Sequence, residues 1–420
     1  MKSPLPATAI LIMVLLFSSG CMTTAPAYTT GPASGGPTPV VVDALVTLSG
    51  SYAPQGAIAE AALLTAEDDI NEYAKAIGSQ RRINVVFHDT RSDPATALSL
   101  AREVQKNGRS VILGHMTSAE IAAIKPFTDS NGMLVLDAGS TSPSLSIAGD
   151  SVYRLISDDS AQGLATALLL RERQVNAIVP LWRGDIWGDG LLNATRSAFI
   201  GRGGVVLEGV RFDPDTADFS GAVATLDIAA GDAIRTYGAD NVGIYLIGFE
   251  ESAPILVQAS EKENLTRVRW FGCDGNAGIP SLAGAAPAAR LAAQVNLTSV
   301  VWGIGNNEQL SRAQDNIRDR LGYQPSWGPV ALYDALWIVH DLLGEVPAGA
   351  DRDVLKLALV RHLNTYCGET GGLRVNHAGD RAHASYDVLQ VVGSPEGSEW
   401  KMIAHVRTRD DGSYSIEQMN

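Results

Sequence analysis

Cysteine is scarce in this chain: Cys21, Cys273 and Cys367 are the only three in 420 residues. No framework of paired cysteines therefore staples the fold, and no Cys-x-x-Cys pair offers a zinc or redox site. The seven histidines form no His-Glu-x-x-His sequence, so neither a metal nor any other cofactor is expected. No Gly-x-Gly-x-x-Gly opens a helix after a strand and no Walker sequence occurs, which leaves nucleotide binding without a motif. Basic residues are outnumbered: the net charge of −14 argues against a nucleic-acid partner, whose phosphates demand a basic face. Beyond the first residues, no apolar run reaches the length of a membrane helix.

What remains is an ordinary globular composition, 45% hydrophobic and 19% charged, long enough for two domains with substantial cores. The N-terminus is a targeting segment. Lys2 is followed by an apolar stretch from Ala7 to Phe17, too short to span a bilayer, and Ser18-Ser19-Gly20 puts small residues directly before Cys21. This resembles a lipoprotein signal, in which cleavage leaves the cysteine at the new N-terminus carrying lipid. Ser18 departs from that pattern, which usually has Leu, Val or Ile there; plain secretion with an incidental Cys21 is the alternative. Residues 22–39, rich in Thr, Ala, Pro, Gly and Ser, read as a flexible tether. The globular part is then extracytoplasmic, anchored to the outer face of the membrane or periplasmic. There, Cys273 and Cys367 either pair or stay as two buried thiols. Asn193, Asn264 and Asn296 open glycosylation sequons, which matter only where the host modifies exported proteins.

Apolar runs alternate with helical patterns along the rest of the chain. Strands are expected at 40–47, 83–87, 111–113, 133–136 and 153–157, with helices over 56–76 and from Asp93-Pro94. The alternation restarts with strands at 177–180, 204–209, 242–247 and 268–271 and helices from Ser160, Gly188, Asp218 and Ser252. A helix over 329–343 and β-prone segments at 386–392 and 401–406 follow. The fold class is α/β, with parallel sheets.

The segment from Val111 to Leu145 is the most informative. Two strands end in hydroxyl-rich turns, one with His115, Thr117 and Ser118, the other with Gly139, Ser140 and Thr141. Strands joined by helical crossovers are parallel, so both turns belong at one sheet edge. Each turn is expected to open a helix, whose free N–H groups suit a carboxylate or phosphate oxygen.

In order and spacing, Thr47-Leu-Ser-Gly-Ser-Tyr-Ala-Pro-Gln-Gly56, Asp93-Pro94, Gly114-His-Met-Thr-Ser118, Gly139-Ser-Thr-Ser-Pro143, Arg154 with Asp159-Ser-Ala-Gln162, Trp187-Gly-Asp-Gly190, Asp218-Phe219 and Gly272-Cys-Asp-Gly275 resemble the branched-chain amino acid binding proteins of ABC transporters. That resemblance implies a type I periplasmic binding fold: two Rossmann-like lobes joined by a three-segment hinge. Residues 40–158 plus 303–375 would form lobe one, and 159–302 plus 376–420 lobe two. It implies a monomer that delivers an amino acid with an apolar or aromatic side chain to a permease. Ser118 and the amides around Ser140 and Thr141, beside Gly139, would take the ligand carboxylate; Thr141 and Asp274 would take the ammonium. Trp187, Phe249 and Tyr52 would wall the side chain. Asp274 departs from the Glu often found in the family, and Trp187 from the common Tyr. A sensory lipoprotein, or a binder of an amide, urea or aromatic acid, would use the same cleft. A catalytic pairing of Cys273 with His115 lacks any local signature, and no enzyme is expected.

Overall fold

A computed structural model describes residues 39–304, 312–347, 349–395, 397–408 and 414–419. The signal segment, Cys21 and all of the tether but Pro39 lie outside the described residues.

In the first half, strands β1 (Pro39–Val46), β2 (Arg82–Asp89), β3 (Val111–His115), β4 (Leu134–Asp137) and β5 (Val152–Arg154) alternate with helices α1 (Ala53–Ala76), α2 (Pro94–Lys106) and α3 (Ser118–Ser130). Local chemistry starts two of these helices. The carboxylate of Asp93 accepts the Thr96 amide at 2.7 Å with Pro94 in the first turn. Thr117 and Glu120 form a reciprocal capping box at α3. The strands make one parallel sheet in the order β2-β1-β3-β4-β5.

The second half repeats the rhythm with α4 (Asp159–Glu172), β6 (Ala177–Arg183), α5 (Ile186–Ile200), β7 (Val205–Val206), β8 (Val210–Phe212), α6 (Ser220–Tyr237), β9 (Val242–Ile247), α7 (Ser252–Ala259), β10 (Arg269–Gly272), α8 (Ala289–Gln294) and β11 (Thr298–Gly303). The chain then returns to the first sheet. There, α9 (Arg312–Leu321) and α10 (Trp327–Glu345) pack on α1, and α11 (Arg352–Thr365) packs on α10. After a small hairpin of β12 (Cys367–Gly368) and β13 (Gly371–Gly372), it crosses again to add β14 (Ser385–Ser394), β15 (Gly397–Thr408) and β16 (Tyr414–Gln418). The second sheet runs β16-β15-β14-β11-β10-β9-β6-β7, with β8 also beside β6; the strands from β6 to β11 are parallel and the last three antiparallel. Two lobes thus present the C-terminal ends of parallel strands, the edge where open α/β sheets hold ligands.

Each lobe carries an apolar cluster of its own on one face of its sheet. A third cluster crosses from lobe to lobe, joining Leu113 and Leu136 of the first sheet to Tyr245 and Phe271 of the second through Tyr52, Trp187 and Phe249.

Some local expectations fail. The second hydroxyl-rich turn opens no α-helix, only a 3-10 turn at Pro143–Leu145. Few residues separate it from Gly149, whose φ of 84° turns the chain into β5. The strand expected at 204–209 is two short strands, broken where Gly209 lies against Pro180: a Cβ there would sit 1.9 Å from the Pro180 carbonyl oxygen. No disulfide joins Cys273 to Cys367, and Cys273 is buried whereas Cys367 is exposed, so neither the pairing nor two buried thiols is formed.

Candidate ligand-binding site

The two hydroxyl-rich turns lie side by side, because β3 and β4 pair in parallel with Gly114 opposite Asp137. Asp137 is buried at the end of β4 and organises the second turn. Its carboxylate accepts the amides of Met116 (3.0 Å), Gly139 (3.0 Å) and Ser140 (2.6 Å) and the Ser140 hydroxyl (2.7 Å). Burial pushes this carboxyl up, and the four donors oppose that push. Ser118, the first residue of α3, takes the next two amides: its Oγ accepts from Thr141 at 3.2 Å and Ser142 at 3.1 Å. The four amides from Gly139 to Ser142 therefore have acceptors within the two turns. Ser118 keeps its own hydroxyl proton to donate.

Thr141 connects this loop to the second lobe. Its hydroxyl donates to Asp159 Oδ2 at 3.0 Å, and its carbonyl accepts the Asp159 amide at 2.9 Å. Asp159 starts α4 and is 1% exposed, and its Oδ1 has no hydrogen-bond partner among the described residues. One turn further along α4, Gln162 Nε2 donates to Asp274 Oδ1 at 3.0 Å. Asp274 is half-buried in the turn after β10. Burial pushes the Asp274 carboxyl up to about 6, against the Gln162 hydrogen bond, and the two carboxyls titrate as a pair. Asp159 is driven well above the usual carboxylate range by burial and then by the charge of Asp274. Neither carboxylate forms an ion pair with a described residue. Asp159 and Gln162 were missed as site residues by sequence reasoning. They stand in the Asp159-Ser-Ala-Gln162 stretch, where an acidic residue beginning a helix reads as an ordinary N-terminal preference.

The aromatic residues meet across the cleft. Tyr52, just before α1, stacks on His115 with ring centroids 5.0 Å apart and tilts against Phe249 at 4.4 Å. Trp187 stacks on Phe249 at 4.3 Å with the planes 18° apart, and the Arg183 guanidinium lies 5.0 Å from the same ring. Asp185 caps α5 through the amides of Trp187 and Gly188, which fixes the Trp187 backbone. Gly275 makes room for the rings: a Cβ there would be 2.6 Å from the Trp187 ring and 2.7 Å from the Gly248 carbonyl. The structure thus brings Tyr52, Ser118, Thr141, Trp187, Phe249 and Asp274 to one cleft, with Gly139 and Ser140 behind Ser118 in the loop that Asp137 holds.

The residues of a hypothetical thiol–imidazole pair are unsuited to catalysis. Burial pushes the His115 imidazole down to about 3 and the Cys273 thiol well above its usual range, so both stay neutral at pH 7. No cluster of His, Cys, Asp and Glu suited to a metal exists among the described residues. A surface groove of about 540 Å³, lined by Glu172, Arg173, Gln174, Asp240, Asn241 and Arg269, lies at the opposite ends of the second lobe's strands and is remote from this site.

The ligand-binding region of the receptor family matches residues 58–394. The chain belongs to this family. A leucine-, isoleucine-, valine-, threonine- and alanine-binding protein of Pseudomonas aeruginosa is 23% identical, over 82% of this chain and 87% of its own length. Among solved structures of the family's fold, a leucine-binding protein of Thermotoga maritima superposes with a TM-score of 0.70 at 22% identity, covering 89% of this chain and 99% of that one. A Rhodopseudomonas palustris solute-binding protein in complex with 4-hydroxybenzoate gives 0.71 at 16% identity, covering 88% and 97%. The fold is that of the type I periplasmic binding proteins, and the family model that matches is one of ligand binding. No described helix is long and apolar enough to cross a membrane.

Proposed function

We propose that this chain is the extracytoplasmic solute-binding protein of an ABC importer, anchored by lipid on Cys21, and that it carries an amino acid to the permease. One observation supports the reading above the others. Asp159 and Asp274 converge on the cleft with no ion pair to a described residue, only the more distant charge of Arg154 acting on Asp159, beside the hydroxyls of Thr141 and Ser118. Two neighbouring carboxylates without an ion-pair partner are costly in such a place unless a ligand supplies the charge. An α-ammonium group satisfies both carboxylates and donates to the lone pairs of Thr141 Oγ1, whose proton goes to Asp159, while the ligand carboxylate takes the free proton of Ser118. Hydrogen bonds to charged groups contribute about 1.5–3 kcal/mol each, enough together to offset much of the entropy lost on binding. Tyr52, Phe249 and Trp187 then cover an apolar or aromatic side chain.

The aromatic-acid reading draws on the three rings and on the 4-hydroxybenzoate-binding neighbour. Charge separates the two readings, since a benzoate would bring a third negative charge to Asp159 and Asp274. Native mass spectrometry of the purified protein, followed by calorimetry with amino acids and benzoates, decides between them. Binding of an α-amino acid supports the proposal; binding of benzoates alone overturns it.

A further inference from the structure

Ser142 occupies a junction that the ligand contacts do not use. It is completely buried, and each of its polar groups points to a different part of the molecule. The amide donates to Ser118 Oγ at 3.1 Å, inside the carboxylate cradle. The carbonyl accepts from the Arg154 guanidinium at 2.8 Å. The hydroxyl donates across the cleft to the Ile186 carbonyl of lobe two at 2.9 Å, with the Ser144 hydroxyl also 2.9 Å away.

Both outer partners have leverage over lobe position. Arg154 ion-pairs with Asp380 at 2.5 Å, and backbone bonds from Arg154 to Gly379 and from Arg381 to Arg154 tie two of the interlobe crossings together. Ile186 opens α5, yet its side chain packs on a lobe-one cluster whose other members, including Ile121, Ile124 and Leu145, all belong to lobe one. The next residue is Trp187, so seating Ile186 in lobe one also places the indole over Phe249. One turn on, Gly190 allows the contact: a Cβ there would lie 3.0 Å from Ser142 Oγ and 3.1 Å from Pro143 Cδ.

We propose that Ser142, Ile186 and Gly190 form a latch that couples the filling of the carboxylate cradle to closure of the lobes, with Ser142 as a positioning residue. A ligand that engages Ser118 fixes the Ser142 amide and so the aim of its hydroxyl at Ile186. The closed arrangement gains the hydrogen bond and the Ile186 contact only while the cradle is ordered. That supplies the differential affinity by which a ligand shifts an open–closed equilibrium. The coupling to ligand rests on the amino acid reading above; the latch itself does not.

The test combines small-angle scattering with calorimetry on the full chain, using L-leucine as the probe. Ser142→Ala should weaken leucine binding about 5-fold, the loss of one net hydrogen bond, and raise the radius of gyration. Gly190→Leu puts a strong helix former in α5 and should open the protein further, with far-UV circular dichroism unchanged from wild type. Ile186→Val, which keeps an apolar side chain at the seat, should leave compactness and affinity near wild type. Scattering and leucine affinity identical to wild type in both Ser142→Ala and Gly190→Leu overturn the latch. If the wild type binds no leucine, the ligand-free scattering still decides: an expanded Gly190→Leu supports the latch and an unchanged one overturns it.

Discussion

Replacing Asp274 by Asn should move stability and binding in opposite directions. The folded, empty protein holds this carboxyl at about 6 against an ordinary value of 3.8, chiefly through burial. A group raised on folding stabilises the folded state fully below its unfolded value, and that stability is lost as pH rises through the folded value. At pH 8 ionisation thus costs the empty protein on the order of 3 kcal/mol, and sharing of the effect with Asp159 brings the expected gain on substitution to about 1–3 kcal/mol. Asn retains an oxygen for the Gln162 amide, so the bond from α4 survives. Urea titrations of ligand-free protein should show the variant more stable than wild type at pH 8, with the difference vanishing near pH 4. Binding should go the other way: losing a charge-assisted bond to an ammonium weakens an amino acid by about 10- to 100-fold. A variant that is destabilised when empty at pH 8, or one that binds leucine as tightly as wild type, refutes the reasoning.

Four further outcomes are expected. Amino acid affinity of the wild type should fall as pH drops through about 6, because protonated Asp274 no longer attracts an ammonium; calorimetry at pH 7.5 and 5 measures this. Arg154→Met leaves Asp380 buried without its cation and should destabilise the protein by about 3–5 kcal/mol in urea unfolding. Gly275→Ala forces a methyl against the Trp187 ring and the Gly248 carbonyl and should cost about 1–3 kcal/mol, with a changed indole fluorescence. Thiol reagents should label exposed Cys367 in the native protein well before Cys273, whose thiol is buried and held neutral; peptide mapping gives the order.

Elements with a clear period were legible in the sequence. The buried run at 242–247 and the helix ending at Ala76 lie where the apolar pattern puts them, and Asp93-Pro94 caps α2. Strand β11 escaped notice because Thr298 and Ser299 begin it and Gly303 ends it, and its place is set by β10 and β14 rather than by its own pattern. Helix α9 was hidden by its composition, since only Ala313 and Ile317 of Arg312–Leu321 are buried. The site was legible as a set of motifs but not as a network. No spacing reveals that Asp137 draws in the Gly139 and Ser140 amides, or that Thr141 reaches Asp159. Those links depend on strand register and on the approach of the lobes, both of them long-range. The same holds for the ring contacts, which bring together residues from the starts of α1 and α5 and from the turn after β9.

The central claim is that the cleft reads both charges of an amino acid. Calorimetry with L-leucine and 4-methylpentanoate at pH 7.5 tests it most directly, because the two share a carboxylate and an alkyl chain and differ in the ammonium. Leucine should bind at least about 10-fold more tightly, as one charge-assisted hydrogen bond requires. Equal affinity, or tighter binding of 4-methylpentanoate, would contradict the role given to Asp159 and Asp274.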